Sequence, residues 1–134
     1  MNKNNKEFKS IILINVLRDI IEIFSGPFLT AYFIKTSIES MISLSTFNIF
    51  SYTILLLFSI IVGFIIKNKL KIFTFRVGIL LNFAYILSFI LLKNKIIDYL
   101  WLVSILYGLS TSFYYMPFNF FLTKKIKIAI EVNL

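Results

Sequence analysis

The chain has 134 residues, of which 59% are hydrophobic and 15% charged, and its mean hydropathy is +0.90. Soluble domains are about 45 to 50% apolar, so this composition excludes an ordinary water-soluble domain and predicts a membrane protein with the lipid bilayer as its partner. The sequence contains no Cys and no His, which excludes thiol catalysis, disulfides and the usual zinc and haem ligands.

The formal net charge is +8, from 14 Lys and Arg against six Asp and Glu. A basic chain can bind nucleic acid, but here the basic residues lie in short linkers at the ends of apolar segments, so we predict no nucleic-acid partner. The four glycines are scattered and form no phosphate-binding loop. We therefore predict that the chain is not an enzyme and has no metal site and no cofactor.

The first predicted span is segment 10–34, which follows a polar cytoplasmic start at 1–9. It contains three charged residues, Arg18, Asp19 and Glu22. At a helical rise of about 1.5 Å per residue, these lie roughly 12 to 18 Å into a hydrocarbon core about 30 Å thick. A central charge costs about 2.5 to 3.5 kcal/mol on the insertion scale, so such residues favour a functional site.

The three charges share one helical face with Asn15, because successive residues are about 100° apart. Arg18 and Glu22 are spaced i, i+4 and can pair. This polar stripe predicts either a structural ion pair or a water-filled pathway for a solute or proton. We favour the pathway, since two acids and a base exceed what a structural pair requires.

The next two predicted spans are more uniform. Segment 40–66 has no ionisable side chain except tyrosine. Segment 72–92 follows the basic loop 67–71, with Arg76 near enough to the headgroups to reach them by snorkelling. Their few polar residues favour packing rather than a pathway.

The fourth predicted span is segment 99–123, in which Tyr107, Thr111, Tyr115 and Asn119 recur at helical spacing. This stripe is polar but uncharged, and it predicts either cavity lining or helix packing. The tail 124–134 does not have the composition of a fifth span.

Two prolines lie deep inside predicted spans. Gly26 and Pro27 occur in the first span and Pro117 occurs in the fourth. Proline removes one backbone hydrogen bond, so we expect a helix interruption at both places. Paired interruptions in corresponding spans are a sequence indicator of a transport site.

These segments predict an all-α membrane protein of four antiparallel transmembrane helices, because short linkers make successive spans antiparallel. Basic residues precede the first span, lie between the second and third, and follow the fourth, and few lie on the other side. The positive-inside rule then places both termini in the cytoplasm, and we expect the cytoplasmic membrane of a bacterium.

The stretches "FNIFSYTILLLFSIIVGFIIKNKLK", "RVGILLNFAYILSFILL" and "LYGLSTSFYYMPFNFF", with the charged first span, resemble the N-terminal third of a major facilitator superfamily transporter. That family has a Gly-x-x-x-Asp-Arg-x-Gly-Arg-Lys/Arg pattern between its second and third helices. Here Gly63 matches the first position and Lys71 the ninth, while Lys67 stands at the position of the aspartate.

The resemblance implies a secondary-active transporter with twelve helices in two halves and a solute site between them, near the bilayer midplane. Because this sequence stops after the fourth span, we expect a truncated or fragmentary transporter that is inactive alone. Its partner would be the missing remainder of a transporter or a second copy. The resemblance names no solute.

Two other interpretations stay open. A small multidrug-resistance exporter also has four spans and a membrane-embedded glutamate, a role that Glu22 could take in a proton-coupled dimer. The orientation bias and the lone Gly78 in the third span argue against it. Alternatively, the chain is a non-transporting membrane subunit whose first-span charges pair with another protein's helix.

Overall fold

The computed structural model describes residues 3–36, 39–67 and 70–133. Within these ranges the chain forms four α-helices, and no strand occurs in them. The helices are α1 (Lys3–Thr36), α2 (Ser40–Lys67), α3 (Lys71–Leu92) and α4 (Leu100–Asn133), with a short 3-10 helix, Lys93–Lys95, between α3 and α4. The all-helical part of the predicted fold is confirmed.

All four predicted spans lie in these helices, apart from Tyr99, which belongs to the turn before α4. Helices are the expected outcome for long apolar segments, since each satisfies its own backbone hydrogen bonds. Two of the helices are longer than the spans. α1 includes part of the polar start, and α4 continues through most of the predicted tail to Asn133. Residues 68 and 69 of the basic loop lie outside the described residues.

Neither proline divides its helix. Pro27 lies inside α1 and Pro117 inside α4, and both helices are continuous through these positions. A single proline removes one N–H donor, and the hydrogen bonds of the neighbouring turns can hold the helix together. The interruption that we expected is therefore not a break in the helical course. The surroundings of Gly26 lie outside what the structure describes.

The chain divides into two compact units, Met1–Leu44 and Ser45–Leu134. The first unit contains α1 and the start of α2, and the second contains the rest of α2 with α3 and α4. In the second unit α4 packs against both of its neighbours.

The contacts of α4 define the directions of the three helices. As residue numbers rise along α4, the residues that it contacts rise in number along α2 and fall in number along α3. The pairs are Phe47 with Tyr107, Leu55 with Ser112 and Gly63 with Met116 for α2, and Tyr85 with Tyr107, Phe75 with Tyr114 and Lys71 with Phe120 for α3. α2 and α4 are thus parallel to each other and antiparallel to α3, which is the alternation predicted for successive spans.

The second unit buries hydroxyl groups among apolar side chains and exposes hydrocarbon on its outside. Seven buried Ser and Thr side chains lie in it, namely Ser51, Thr74, Ser88, Ser104, Ser110, Thr111 and Ser112. Large apolar side chains are exposed along α2 and α3, with Leu80 68% and Leu91 72% exposed. Water-soluble proteins seldom expose contiguous apolar surface of this kind, whereas small and hydroxyl residues between helices are typical of membrane bundles.

Two of the described helical segments are long and apolar enough to cross a membrane, Met41–Lys67 and Lys71–Lys95. They correspond to the second and third predicted spans. Both are mostly exposed and neither lies near the N-terminus, unlike the buried core helix of a soluble protein or a signal sequence. The other two spans stay predictions, because charges interrupt the apolar stretch of α1, and hydroxyls and tyrosines dilute that of α4.

Candidate functional site

Two side chains of the predicted α1 stripe form an ion pair. Arg18 Nη2 contacts Glu22 Oε1 across one turn of the helix. The Arg18 side chain is 8% exposed and that of Glu22 is 30% exposed. The spacing i, i+4 is the one that brings side chains on a helix surface together. The pairing predicted from this spacing is confirmed.

The third charge of the stripe also has a partner within α1. Asn15 Nδ2 donates a hydrogen bond of 2.9 Å to Asp19 Oδ2. Asn15 was predicted to lie on the same face as Asp19, but a hydrogen bond between the two was not predicted. The signal was present, since these residues are also spaced i, i+4. Two interleaved pairs therefore occupy about two turns of the helix.

Exposure along α1 is the reverse of that in a soluble amphipathic helix. Arg18 is buried, and Asn15, Asp19 and Glu22 are partly buried. On the other face, Ile23 is 71% exposed. In water this arrangement would expose hydrocarbon and shield charge, whereas in a bilayer it places each group where its solvation cost is lower.

The chemistry of the α1 stripe is that of two carboxylates around one guanidinium. Asp19 and Glu22 are three residues apart on the helix and each has a partner that stabilises negative charge. Such a group can accept a proton or a cationic solute, and Arg18 can pair with an anionic one. The described residues contain no cluster of three or more metal-ligating side chains.

Two glycines mark close approaches between α4 and its neighbours. Gly108 meets α2 so closely that a Cβ at this position would lie 2.6 Å from the carbonyl oxygen of Ser51. A Cβ at Gly78 of α3 would lie 2.7 Å from the backbone nitrogen of Tyr114. Both positions need glycine because backbone, rather than a flexible side chain, is what approaches them.

Hydroxyl groups of α4 bond to backbone carbonyls. Thr111 donates to the carbonyl of Tyr107 at 2.8 Å, and Ser104 donates to that of Leu100 at 2.7 Å. Ser112 Oγ lies 2.9 Å from the carbonyl oxygen of Gly108 and 3.0 Å from that of Leu55 on α2. These hydroxyls therefore have their hydrogen-bond acceptors within the second unit.

The aromatic members of the predicted α4 stripe have different surroundings. The ring of Tyr107 lies between Phe47 of α2, at 5.8 Å between centroids, and Tyr85 of α3, at 5.1 Å. Tyr115 is partly buried and meets Tyr114 edge to face. Asn119 is exposed. Tyr107 and Thr111 thus take part in helix packing, whereas Asn119 does not belong to the buried set.

Ser112 was not among the residues singled out in the fourth span, and helix packing was one of the two uses predicted for that span. Ser104, Gly108 and Ser112 are spaced at four-residue intervals and are all buried on one face of α4. This small-xxx-small pattern is a known signal of close helix approach in membranes, and it was available in the sequence.

The two residues that matched the family pattern lie at the other end of the bundle. The Nζ atom of Lys71 lies 3.9 Å from the ring centroid of Phe120, a cation–π contact between α3 and α4. A Cβ at Gly63 would lie 3.9 Å from Met116 Cε, an ordinary contact, so packing does not require glycine there.

Comparisons of the chain with protein-family models, with curated proteins and with solved structures each gave no match.

Proposed function

We propose that the chain is an integral membrane protein with four antiparallel transmembrane helices and both termini in the cytoplasm. The exposed apolar surfaces of α2 and α3 support insertion. The basic residues support the orientation, because those at the end of α2, the start of α3 and the end of α4 all occupy the predicted cytoplasmic side.

We further propose that these helices are the first four of a secondary-active transporter of major facilitator type. The observation that supports this most is the inverted exposure of α1, in which Arg18 is buried and Ile23 faces outward. In such a transporter the solute pathway lies between two groups of helices near the midplane. The paired charges at the centre of α1 would then line that pathway.

The two stripes would contribute unequally to the pathway. On α1, the pathway residues would be Arg18 with its partner Glu22 and Asp19 with its partner Asn15. On α4, the hydroxyl of Thr111 is bonded to its own helix, so Asn119 and Tyr115 are the better pathway residues there. Tyr107 packs against Tyr85, so we expect its aromatic ring rather than a polar group to contribute to the pathway.

The pathway can be tested without knowing the solute. The sequence has no cysteine, so single cysteines can be introduced directly and treated with a membrane-impermeant thiol reagent in intact proteoliposomes. We expect Asp19→Cys to react roughly tenfold faster than Ile20→Cys, because a thiolate forms in water but not in lipid. The two positions differ by one residue in depth and lie on different faces.

A second matched pair, Asn15→Cys and Val16→Cys, should give the same ranking. Equal protection of Asp19→Cys and Ile20→Cys would contradict a pathway and favour a structural ion pair or a subunit whose charges face another protein. Far-UV circular dichroism of each variant controls for loss of the helices.

The exporter interpretation makes a different prediction. If a dimer of this chain exchanged protons for a lipophilic cation at Glu22, purified chain in liposomes would take up that cation under a proton gradient. Uptake that is lost in Glu22→Gln would favour the exporter over the facilitator-type proposal.

The orientation has its own test. We expect cysteines at positions 36 and 94 to label from outside the cell, since both lie in the linkers predicted to be external. Labelling only in inverted vesicles would reverse the topology. A cysteine in the linker between α2 and α3 is the control for the cytoplasmic side.

A further inference from the structure

A cluster of positive charge surrounds one exposed ring at the end of the bundle where α3 begins. Lys71 of α3 lies over Phe120 of α4 at 3.9 Å. Lys124 and Lys127 follow Phe120 on α4 at i+4 and i+7. At about 100° per residue, Phe120, Lys124 and Lys127 fall within roughly 60° of one another on the helix. We call these four residues the Phe120 basic patch.

The helical extension of α4 is what creates this patch. Because α4 continues to Asn133 instead of ending near Thr123, Lys124 and Lys127 stay in register with the face that Lys71 contacts. Both lysines are exposed, and Phe120 is 38% exposed. Glu131 follows Lys127 by four residues in sequence, and its single negative charge does not cancel the three positive charges of the patch.

Exposed apolar side chains lie on the same turn of α3 as Lys71. Ile72 and Phe73, the residues after Lys71, are 63% and 64% exposed. A soluble anion gains nothing from hydrocarbon next to its site, whereas a phospholipid presents an anionic headgroup and acyl chains at adjacent depths. Aromatic rings with lysines beside them are also typical of helix ends at the membrane interface.

We propose that the Phe120 basic patch binds the headgroup phosphate of an anionic phospholipid in the cytoplasmic leaflet. Lys71, Lys124 and Lys127 donate hydrogen bonds to the phosphate oxygens, and the acyl chains lie along the exposed start of α3. This rests on the membrane insertion in the proposed function but not on transport.

The test is a lipid titration of the full chain in detergent, with bound lipids counted by native mass spectrometry. We expect phosphatidylglycerol to bind more tightly than phosphatidylcholine. A lysine near an anionic membrane surface contributes on the order of fivefold in affinity, so Lys71→Gln with Lys124→Gln should weaken phosphatidylglycerol binding about 30-fold. The arginine pair at the same positions should retain most of it.

The matched control removes the same charge from the opposite end of the bundle, with Lys93→Gln and Lys95→Gln. Retained preference in this control, with loss in the Lys71 and Lys124 variant, supports the patch. Equal loss in both variants would mean that net charge alone attracts the lipid, and the proposal would be wrong.

Two other results would also overturn it. One is equal binding of the two lipids by the unmodified chain. The other is displacement of phosphatidylglycerol by millimolar inorganic phosphate, which would assign the patch to a soluble anion. The reaction of α1 cysteines with a thiol reagent is a separate measurement. A negative result there would contradict the transporter proposal without affecting the result of the lipid titration.

Discussion

Polar residues recur at helical spacing on both α1 and α4, but the partners of their polar atoms differ. On α1, Arg18 pairs with Glu22 and Asn15 donates to Asp19, so side chains satisfy one another along a single helix. On α4, the hydroxyls bond to backbone carbonyls, and Ser112 also reaches a carbonyl of α2.

This difference follows from the size of the side chains. Gly and Ser are small enough for two backbones to meet, and their polar atoms then lie within reach of carbonyls. Arg and Glu side chains are longer, and those of α1 pair with each other along their own helix. Periodic polarity alone therefore does not distinguish a pathway from an interface. The proposal of a pathway on α1 depends on its charges as well.

The largest effect should come from filling the close approach on α4. Gly108→Ala places a Cβ 2.6 Å from the Ser51 carbonyl oxygen and 2.9 Å from Ile54 Cβ, so α2 and α4 must separate. Overpacking of this kind costs about 1 to 3 kcal/mol, and we expect the upper end because a backbone atom is the obstacle. Unfolding in mixed detergent micelles by titration with dodecyl sulfate measures this loss.

Gly63→Ala is the matched control, since its Cβ would make only an ordinary contact at 3.9 Å. Alanine is a better helix former than glycine by about 0.5 to 1 kcal/mol, so this variant should be neutral or slightly more stable. If Gly108→Ala were as harmless as Gly63→Ala, the α4 stripe would not be the packing face that distinguishes it from α1.

The second effect concerns charge on α1. Arg18→Leu removes the ion-pair partner of Glu22 on α1, which we propose to be a transmembrane helix. Breaking a buried pair costs about 3 to 5 kcal/mol and an exposed one about 0 to 1 kcal/mol. Because Glu22 is 30% exposed, we expect about 2 kcal/mol. The same unfolding titration applies.

Removing both charges should restore part of the stability. Arg18→Leu with Glu22→Leu deletes the pair without leaving an isolated charge, so it should be more stable than the single change. A double variant that is less stable than Arg18→Leu would show that the two side chains do not compensate each other.

Much of the fold could be predicted from sequence because long apolar segments between short basic linkers leave the backbone little choice but helix. The helix directions in the second unit followed from the short linkers in the same way. The continuation of α4 past Thr123 was not predicted, because residues 124–134 were interpreted as a tail after the fourth span. Helical propensity of Lys, Ile and Ala is sufficient to continue it.

The candidate site was predicted less evenly. Local i, i+4 spacing gave the Arg18 and Glu22 pair, and it could also have given Asn15 and Asp19. The burial of Thr111 and the contact between the rings of Tyr107 and Tyr85 depend on which faces of separate helices meet, and that information is not local. Small-residue spacing was the one sequence signal for it.

A smaller effect is expected at the hydroxyl that links two helices. Ser112→Ala removes a donor that lies 3.0 Å from the Leu55 carbonyl of α2. Interhelical hydrogen bonds in membrane proteins contribute about 0.6 kcal/mol on average and up to about 1.7. We expect about 1 kcal/mol by the unfolding titration. Ser110→Ala is the control, because the bond from that hydroxyl to the Tyr107 carbonyl stays within α4, and its cost should be lower.

The smallest loss of stability should be at Asn15. Comparing it with the loss at Ser112 shows whether polar groups on α1 or on α4 stabilise the fold more. Asn15→Leu removes the hydrogen bond to Asp19 but keeps a similar volume on the helix. Pairs of this kind at i, i+4 contribute about 0.2 to 0.5 kcal/mol, so the unfolding free energy should fall by less than in Ser112→Ala. Val16→Leu, on the exposed apolar face, is the control for the side-chain change. Greater destabilisation by Asn15→Leu than by Ser112→Ala would make the α1 stripe the more structural of the two and would count against its role as a pathway.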